Sequence, residues 1–147
     1  MKLKLKKLHP DARVPTYGTD GAAAFDLKTT ESATIAPRHA QVFGTGLAFE
    51  LPPGHALFIF SRSGDGFKRG LRLANSVGII DSDYRGEVKV ALHNDSLTPR
   101  FVDAGERVAQ ALVAQALVLQ VPEIEFEEVE ELTDTERGAG GFGSTGK

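Results

Sequence analysis

Five short segments carry the side chains able to do chemistry. The densest is Gly78-Ile79-Ile80-Asp81-Ser82-Asp83-Tyr84-Arg85-Gly86. Two acids beside a tyrosine can be ordinary turn formers, since Asp is favoured in turns. They can also supply a carboxylate, held between two arms of sheet, that takes a proton from water attacking phosphorus. Ser61-Arg62-Ser63-Gly64 offers hydroxyls, a guanidinium and, at a helix start, free N–H groups. That set suits an anion, or it simply caps a helix. In Ala22-Ala23-Ala24-Phe25-Asp26-Leu27 a lone carboxylate sits in an apolar strand, where an unpartnered acid is expensive. A salt bridge answers that cost; so does a magnesium-bound water or an arginine at a phosphate site. Gly105-Glu106-Arg107-Val108-Ala109-Gln110 places one amide in apolar surroundings, as a satisfied interior glutamine or a polar contact.

The fifth segment is the tail Arg137 to Lys147, in which glycine recurs at 138, 140, 141, 143 and 146. Alone, such a tail does not pack as regular structure. Its N–H groups can wrap phosphates, with Arg137 and Lys147 adding charge. It does not meet Walker A spacing, because no Ser or Thr follows Gly146-Lys147. Phe142 argues against an idle tail. A flat ring on a pliant arm can close over a planar base, and such stacking is worth roughly 1–3 kcal/mol.

These groups need elements to hold them, and the pattern predicts short strands broken by turns. Leu3, Leu5 and Leu8 interleave with lysines; Gln41 to Leu51 reads as a strand stopped by Pro52-Pro53-Gly54; His55 to Phe60 is a compact apolar run. Leu71 to Ile80 and Glu87 to His93 read as a hairpin whose turn is the segment with Asp81. Val88, Val90 and Leu92 form the inward face of its second arm. Arg107 to Val121 reads as a strand buried on both faces, against a subunit partner. One short helix is expected near Ser63 to Arg69, weakened by Gly64, Gly66 and Gly70. Strands at this spacing predict a sandwich or barrel. From Glu123 to Glu136 every charged residue is a carboxylate, which reads as a solvated strand and linker.

The bulk composition narrows the function. A chain of 147 residues fits one domain and gains from oligomerisation. It has no cysteine, which excludes disulfides and thiolate chemistry. A net charge of −3 argues against bulk nucleic-acid binding. No apolar run follows the early lysines, so no signal peptide is expected, nor a membrane span. A cytoplasmic protein is expected.

Taken in order, the five segments resemble the five motifs of the trimeric dUTP pyrophosphatase (dUTPase) family, over nearly the whole chain. The run Gly78 to Gly86 and the tail Arg137 to Gly146 are each close to the family pattern. Their occurrence with Arg62-Ser63-Gly64 and with Gly105 to Gln110 makes the match very specific. The resemblance implies an all-β, distorted jelly-roll fold of the β-clip kind with at most one short helix. It implies a β domain over 1–136 and a flexible glycine-rich arm over 137–147 that closes over the active site. The implied reaction is hydrolysis of dUTP to dUMP and pyrophosphate by water attack on the α-phosphorus. That reaction keeps uracil out of DNA and supplies dUMP for thymidylate synthesis.

The resemblance also implies roles. Asp81 activates the water. Tyr84 lies against the deoxyribose, where a 2′-hydroxyl would collide. Asn75 and the backbone from Gly78 through Ile80 to Asp81 read uracil. Arg62, Ser63 and Gly64 bind phosphate, and Gln110 lies near the phosphates and the water. Arg137 holds the γ-phosphate, Phe142 stacks on the base, and Gly143, Ser144 and Thr145 add substrate contacts. Asp26 acts on Mg²⁺ indirectly, through water. The partners implied are dUTP and two further copies in a homotrimer with shared active sites. Departures from the family pattern are Ala24-Phe25, Ser61, Asp65 and Ala111-Leu112, which bear on packing and affinity. Two alternatives stay open: a dCTP deaminase-like enzyme, and a non-catalytic nucleotide-sensing regulatory protein on the same fold.

Overall fold

Residues that alternate in polarity become sheet where one face can be buried. The computed structural model describes residues 2–104 and 113–135. In chain order its strands are β1 (Lys4–Lys7), β2 (Thr16–Tyr17), β3 (Phe25–Lys28), β4 (Ala33–Ile35), β5 (Ala40–Gly44) and β6 (Leu47–Glu50). There follow β7 (His55–Phe60), β8 (Leu71–Leu73), β9 (Val77–Ile80), β10 (Lys89–Asn94), β11 (Arg100–Val102) and β12 (Val113–Gln120). They form a five-stranded sheet ordered β2-β3-β12-β7-β9, a three-stranded sheet β5-β10-β8, and two-stranded ribbons β1-β6 and β11-β4. All these pairings are antiparallel. Between β7 and β8, Ser63 and Gly64 lead into one π-helical turn, Asp65–Arg69. The expected all-β fold with one short helix is borne out.

β10 shows what fixes the register. Val90 and Leu92, with Val88 just before them, are buried, while Lys89, Ala91 and His93 face the other way. They join Phe43, Leu57, Ile59, Leu71 and Leu73 in one core. Burying each such side chain is worth roughly 1.5–3 kcal/mol. A slip by one residue would bury Lys89 and His93 instead, so the register is strongly specified. Asn94 ends the strand fully buried. Its amide donates to the carbonyls of Ile35 (3.0 Å) and Thr98 (2.8 Å) and accepts from Ser96 N (3.0 Å) and Oγ (2.6 Å). A buried amide satisfied in this way ties β10 to β4 and to the loop before β11.

Three expectations are corrected. The stretch Gln41 to Leu51 is two strands, because Gly46 (φ 66°) turns the chain and sends β5 and β6 into different sheets. Leu8 and Thr30 crowd that corner: a Cβ on Gly46 would lie 3.0 Å or less from His9, Ala12 and Thr30, and Leu8 N donates to its carbonyl. The hairpin expected from Leu71 to His93 is split. β8 pairs with β10, with Leu73 opposite Leu92, but β9 leaves it and pairs with β7, with Ile80 opposite Leu57. The left-handed residue Ser76 (φ 63°) marks the departure. Finally, residues 121–135 hold no strand; they are exposed and irregular, as a charge-dense linker would be. The strand expected over Arg107 to Val121 is present as β12, at the centre of the large sheet, while 105–112 lie outside the described residues.

Candidate functional site

Splitting the hairpin opens a recess of about 170 Å³ between β9 and the β5-β10 pair, lined among others by Asn75, Gly78, Ile80, Ile59, Lys89 and Val90. Drug-sized sites run to roughly 300–1,000 Å³, so this one suits a single ring. Gly78 keeps it open: a Cβ there would lie 3.3 Å from Ile59 Cβ and 3.7 Å from Asn75 Nδ2. Among the described residues β9 is an edge strand, so its outer backbone N–H and C=O groups have no neighbouring strand there. A row of fixed donors and acceptors over a ring-sized recess can read the edge of a planar base.

The segment after β9 forms a braced turn. Tyr84 N donates to Asp81 O (3.2 Å), and Arg85 Nη1 donates to the carbonyls of Ser82 (2.6 Å) and Tyr84 (3.2 Å). The Tyr84 hydroxyl donates to Glu87 O (3.0 Å), and the Glu87 carboxylate accepts from Gly46 N (2.8 Å). The tyrosine ring lies over Gly86, where a Cβ would fall 2.5 Å from its hydroxyl. Asp81 is exposed, and its carboxylate makes no hydrogen bond or ion pair with another described residue. It is a fixed carboxylate with its acceptor sites facing water. The rigidity expected from two sheet arms comes instead from β9 on one side and these hydrogen bonds on the other.

A second group forms beyond the far end of β7. Ser61 Oγ accepts from Leu73 N (2.8 Å), fastening the segment to β8. Ser63 and Gly64 are exposed, and Ser63 makes no side-chain cap to the helical turn. The capping reading of that serine is therefore not the one realised. Arg62 Nη1 reaches Asp65 Oδ2 at 3.5 Å. Asp26 belongs to this end as well. It pairs in register with Gln115, which pairs with Phe60, so β3, β12 and β7 carry the three positions in one row. Asp26 is half-buried, between inward-facing Phe25 and Leu27, and its carboxylate has no bond to another described residue. The apolar-strand reading of this acid holds, and no salt bridge among the described residues answers its cost.

The two groups adjoin at Gly78, which lies opposite Ile59, but Asp81 and Arg62 themselves stand apart within one chain. Ile80, next to Asp81, lies opposite Leu57 at the start of β7, whereas Arg62 follows Phe60 at its end. Arg62 is five positions beyond Leu57, roughly 16 Å at about 3.3 Å per residue of extended chain, and Asp81 lies one step further the other way. The chain presents two half-sites, a ring-sized recess with a carboxylate beside it and an edge that carries a guanidinium. Of the expected site residues, Asn75, Gly78, Ile80, Asp81 and Tyr84 fall in the first and Asp26, Arg62, Ser63 and Gly64 in the second. Gln110, Arg137, Phe142, Gly143, Ser144 and Thr145 lie outside the described residues. Sequence reasoning missed Lys89, Glu87 and Asp65. Only Asp65 carried a local signal, an acid three residues after one arginine and four before another.

Residues 10–146 match the dUTPase family model. The chain is 52% identical over 147 residues to the deoxyuridine 5′-triphosphate nucleotidohydrolase of Nautilia profundicola, covering all of both chains. It is 47% identical to the enzyme of that name from Wolinella succinogenes, over all of this chain and 95% of the other. In structure it is similar to a mutant dUTPase of Staphylococcus bacteriophage 80alpha solved with dUpNHpp, with a TM-score of 0.89 and 26% identity over 99% of each chain.

Proposed function

The chain belongs to the dUTPase family, and from that premise we propose how it hydrolyses dUTP to dUMP and pyrophosphate. The observation that carries the reading is the ring-sized recess along the free edge of β9, followed at once by the exposed carboxylate of Asp81. Uracil enters the recess. The outer backbone groups of β9 and the Asn75 amide bond its edge. A pocket this small clashes with the thymine methyl, and fixed donors mismatch the cytosine amino group. Sites built to hydrogen-bond discriminate better than apolar ones. The Tyr84 ring covers the sugar and leaves no room for a 2′-hydroxyl.

Asp81 then accepts the proton of a water that attacks the α-phosphorus, and pyrophosphate leaves. Arg62 and Ser63, with Gln110 and Arg137, hold the triphosphate in line. Phe142 stacks on the base while Gly143, Ser144 and Thr145 bring backbone and hydroxyl donors to the phosphates, so that 137–147 acts as a closing arm and 1–136 as the domain it closes on. Among the described residues no three His, Asp or Glu side chains cluster to cage a metal. The half-buried, hard-oxygen carboxylate of Asp26 at the anion-binding edge suits Mg²⁺ held mainly by phosphate oxygens and waters. Bound there, the ion would neutralise phosphate charge.

The separation of the half-sites supports a C3 homotrimer in which Asp81 of one chain faces Arg62 of the next. Large apolar side chains left in water, Phe67, Leu97, Phe126 and Leu132, support the same reading. The test is pyrophosphate release from dUTP, dTTP, dCTP and UTP side by side. Only dUTP should turn over quickly, and Asp81→Asn should lower kcat by about 10²–10⁴ with little change in KM. Equal turnover of all four would defeat the recess argument.

A further inference from the structure

Asp65 is buried, only 8% exposed, and bonded on both oxygens. Arg69 Nη1 donates to Oδ1 at 3.2 Å and Arg62 Nη1 reaches Oδ2 at 3.5 Å. Arg69 is itself anchored: its Nη2 donates to Phe101 O at 2.6 Å, and its carbonyl accepts from Arg100 Nε at 2.8 Å. The three side chains grade outward, from Asp65 at 11% exposed through Arg69 at 18% to Arg62 at 33%. Asp65 is thus a buried carboxylate fixed by one arginine and presented to another, and the second arginine is the solvent-facing one.

We propose that Asp65 is a positioning residue for Arg62. Its charge offsets the repulsion between the two guanidiniums and holds Arg62 over the anion-binding edge by a single end-on contact. One nitrogen meets the carboxylate, and the remaining donors of the guanidinium stay available to phosphate oxygens. The Arg-Asp-Arg group keeps one net positive charge, which an incoming triphosphate requires. A neutral residue at 65 would leave two adjacent cations unscreened, and Arg62, the less anchored, would swing away. The proposal rests on Arg62 being a phosphate ligand, as proposed above.

The experiment compares Asp65→Asn and Asp65→Leu with the parent, alone and in an Arg62→Gln background. The readouts are titration with a non-hydrolysable imido analogue of dUTP, inhibition by deoxyuridine, and steady-state kinetics. Either Asp65 variant should weaken the triphosphate analogue about tenfold, the scale of a lost charge-assisted contact, and raise KM for dUTP alike. Deoxyuridine, which carries no phosphate, should bind unchanged. In the Arg62→Gln background neither substitution should add to the loss. If Asp65→Asn does not fold, Asp65→Leu, which removes the charge but fills the buried position with an apolar side chain, carries the comparison. Equal weakening of deoxyuridine, no weakening of the analogue, or full additivity with Arg62→Gln would overturn the proposal. A different failure, Arg62→Gln leaving the analogue's affinity untouched, would instead remove the phosphate-ligand reading beneath it.

Discussion

Tyr84 and Gly86 illustrate how one residue's chemistry depends on the space beside it. The tyrosine hydroxyl is held by Glu87 O, and its ring occupies the place where a side chain at 86 would stand. Even a methyl group must displace the ring, since its carbon would lie 2.5–2.6 Å from the hydroxyl oxygen and Cζ. If the ring is what excludes a 2′-hydroxyl, Gly86→Ala should erode the preference for dUTP over UTP. The ratio of kcat/KM values should fall by about tenfold or more, the scale on which a steric filter acts. The melting temperature should move little, because the turn is exposed. Competition kinetics with both nucleotides would measure it; an unchanged ratio would show that the sugar is read elsewhere. Asp81 makes the complementary point. It is a candidate base because the fold leaves it exposed and unpaired beside the recess, and many surface aspartates share its chemistry but not its position.

At the scale of elements, the β8-β10 pair carries an ion group that can be tested by pH. His93 lies opposite Arg72 in register. Arg72 Nε donates to Asp95 Oδ2 at 2.7 Å and Nη2 to Oδ1 at 3.3 Å, while His93 Nδ1 lies 2.9 Å from Oδ1. The Arg72 hydrogen bonds hold the Asp95 carboxyl below its ordinary value, with His93 adding a smaller push the same way. A carboxylate lowered in the folded state stabilises above its unfolded pKa, and that contribution disappears as pH falls through the lowered value. Asp95→Asn should therefore lower the urea midpoint at neutral pH, and the gap to the parent should close below the carboxylate range. A gap that stays constant with pH would assign the effect to packing. The group is only partly buried, so the effect should be modest and should shrink with added salt.

At the scale of the whole molecule, the distance between the half-sites makes a prediction that no single-chain account shares. Chains with Asp81→Asn lack the proposed base and chains with Arg62→Gln lack the proposed phosphate ligand, so each assembly alone should be nearly inactive. Mixed by unfolding and refolding together, they should regain a fraction of parental activity, because some sites would draw Asp81 from one chain and Arg62 from another. Activity no higher than the sum of the separate variants would place both groups in one chain. Sedimentation or light scattering should report three chains per particle in the parent.

The sequence by itself determined what is local. Alternation set which face of β10 is buried and turn residues set where most strands stop, since each depends on side-chain type at short spacing, and the motif residues together carried the family resemblance that implied the reaction. It also held the acid at 65 between two arginines. Only the tertiary structure decided which strands pair. Nothing near Val77 announces that β9 will leave β10 for β7, because that choice follows from burying Leu57 and Ile59 against a core assembled from distant segments. The recess, the free edge of β9 and the separation of Asp81 from Arg62 all follow from that pairing. Spacing along the chain, 19 positions, leaves their distance open, whereas the antiparallel ladder sends them to opposite ends of one strand.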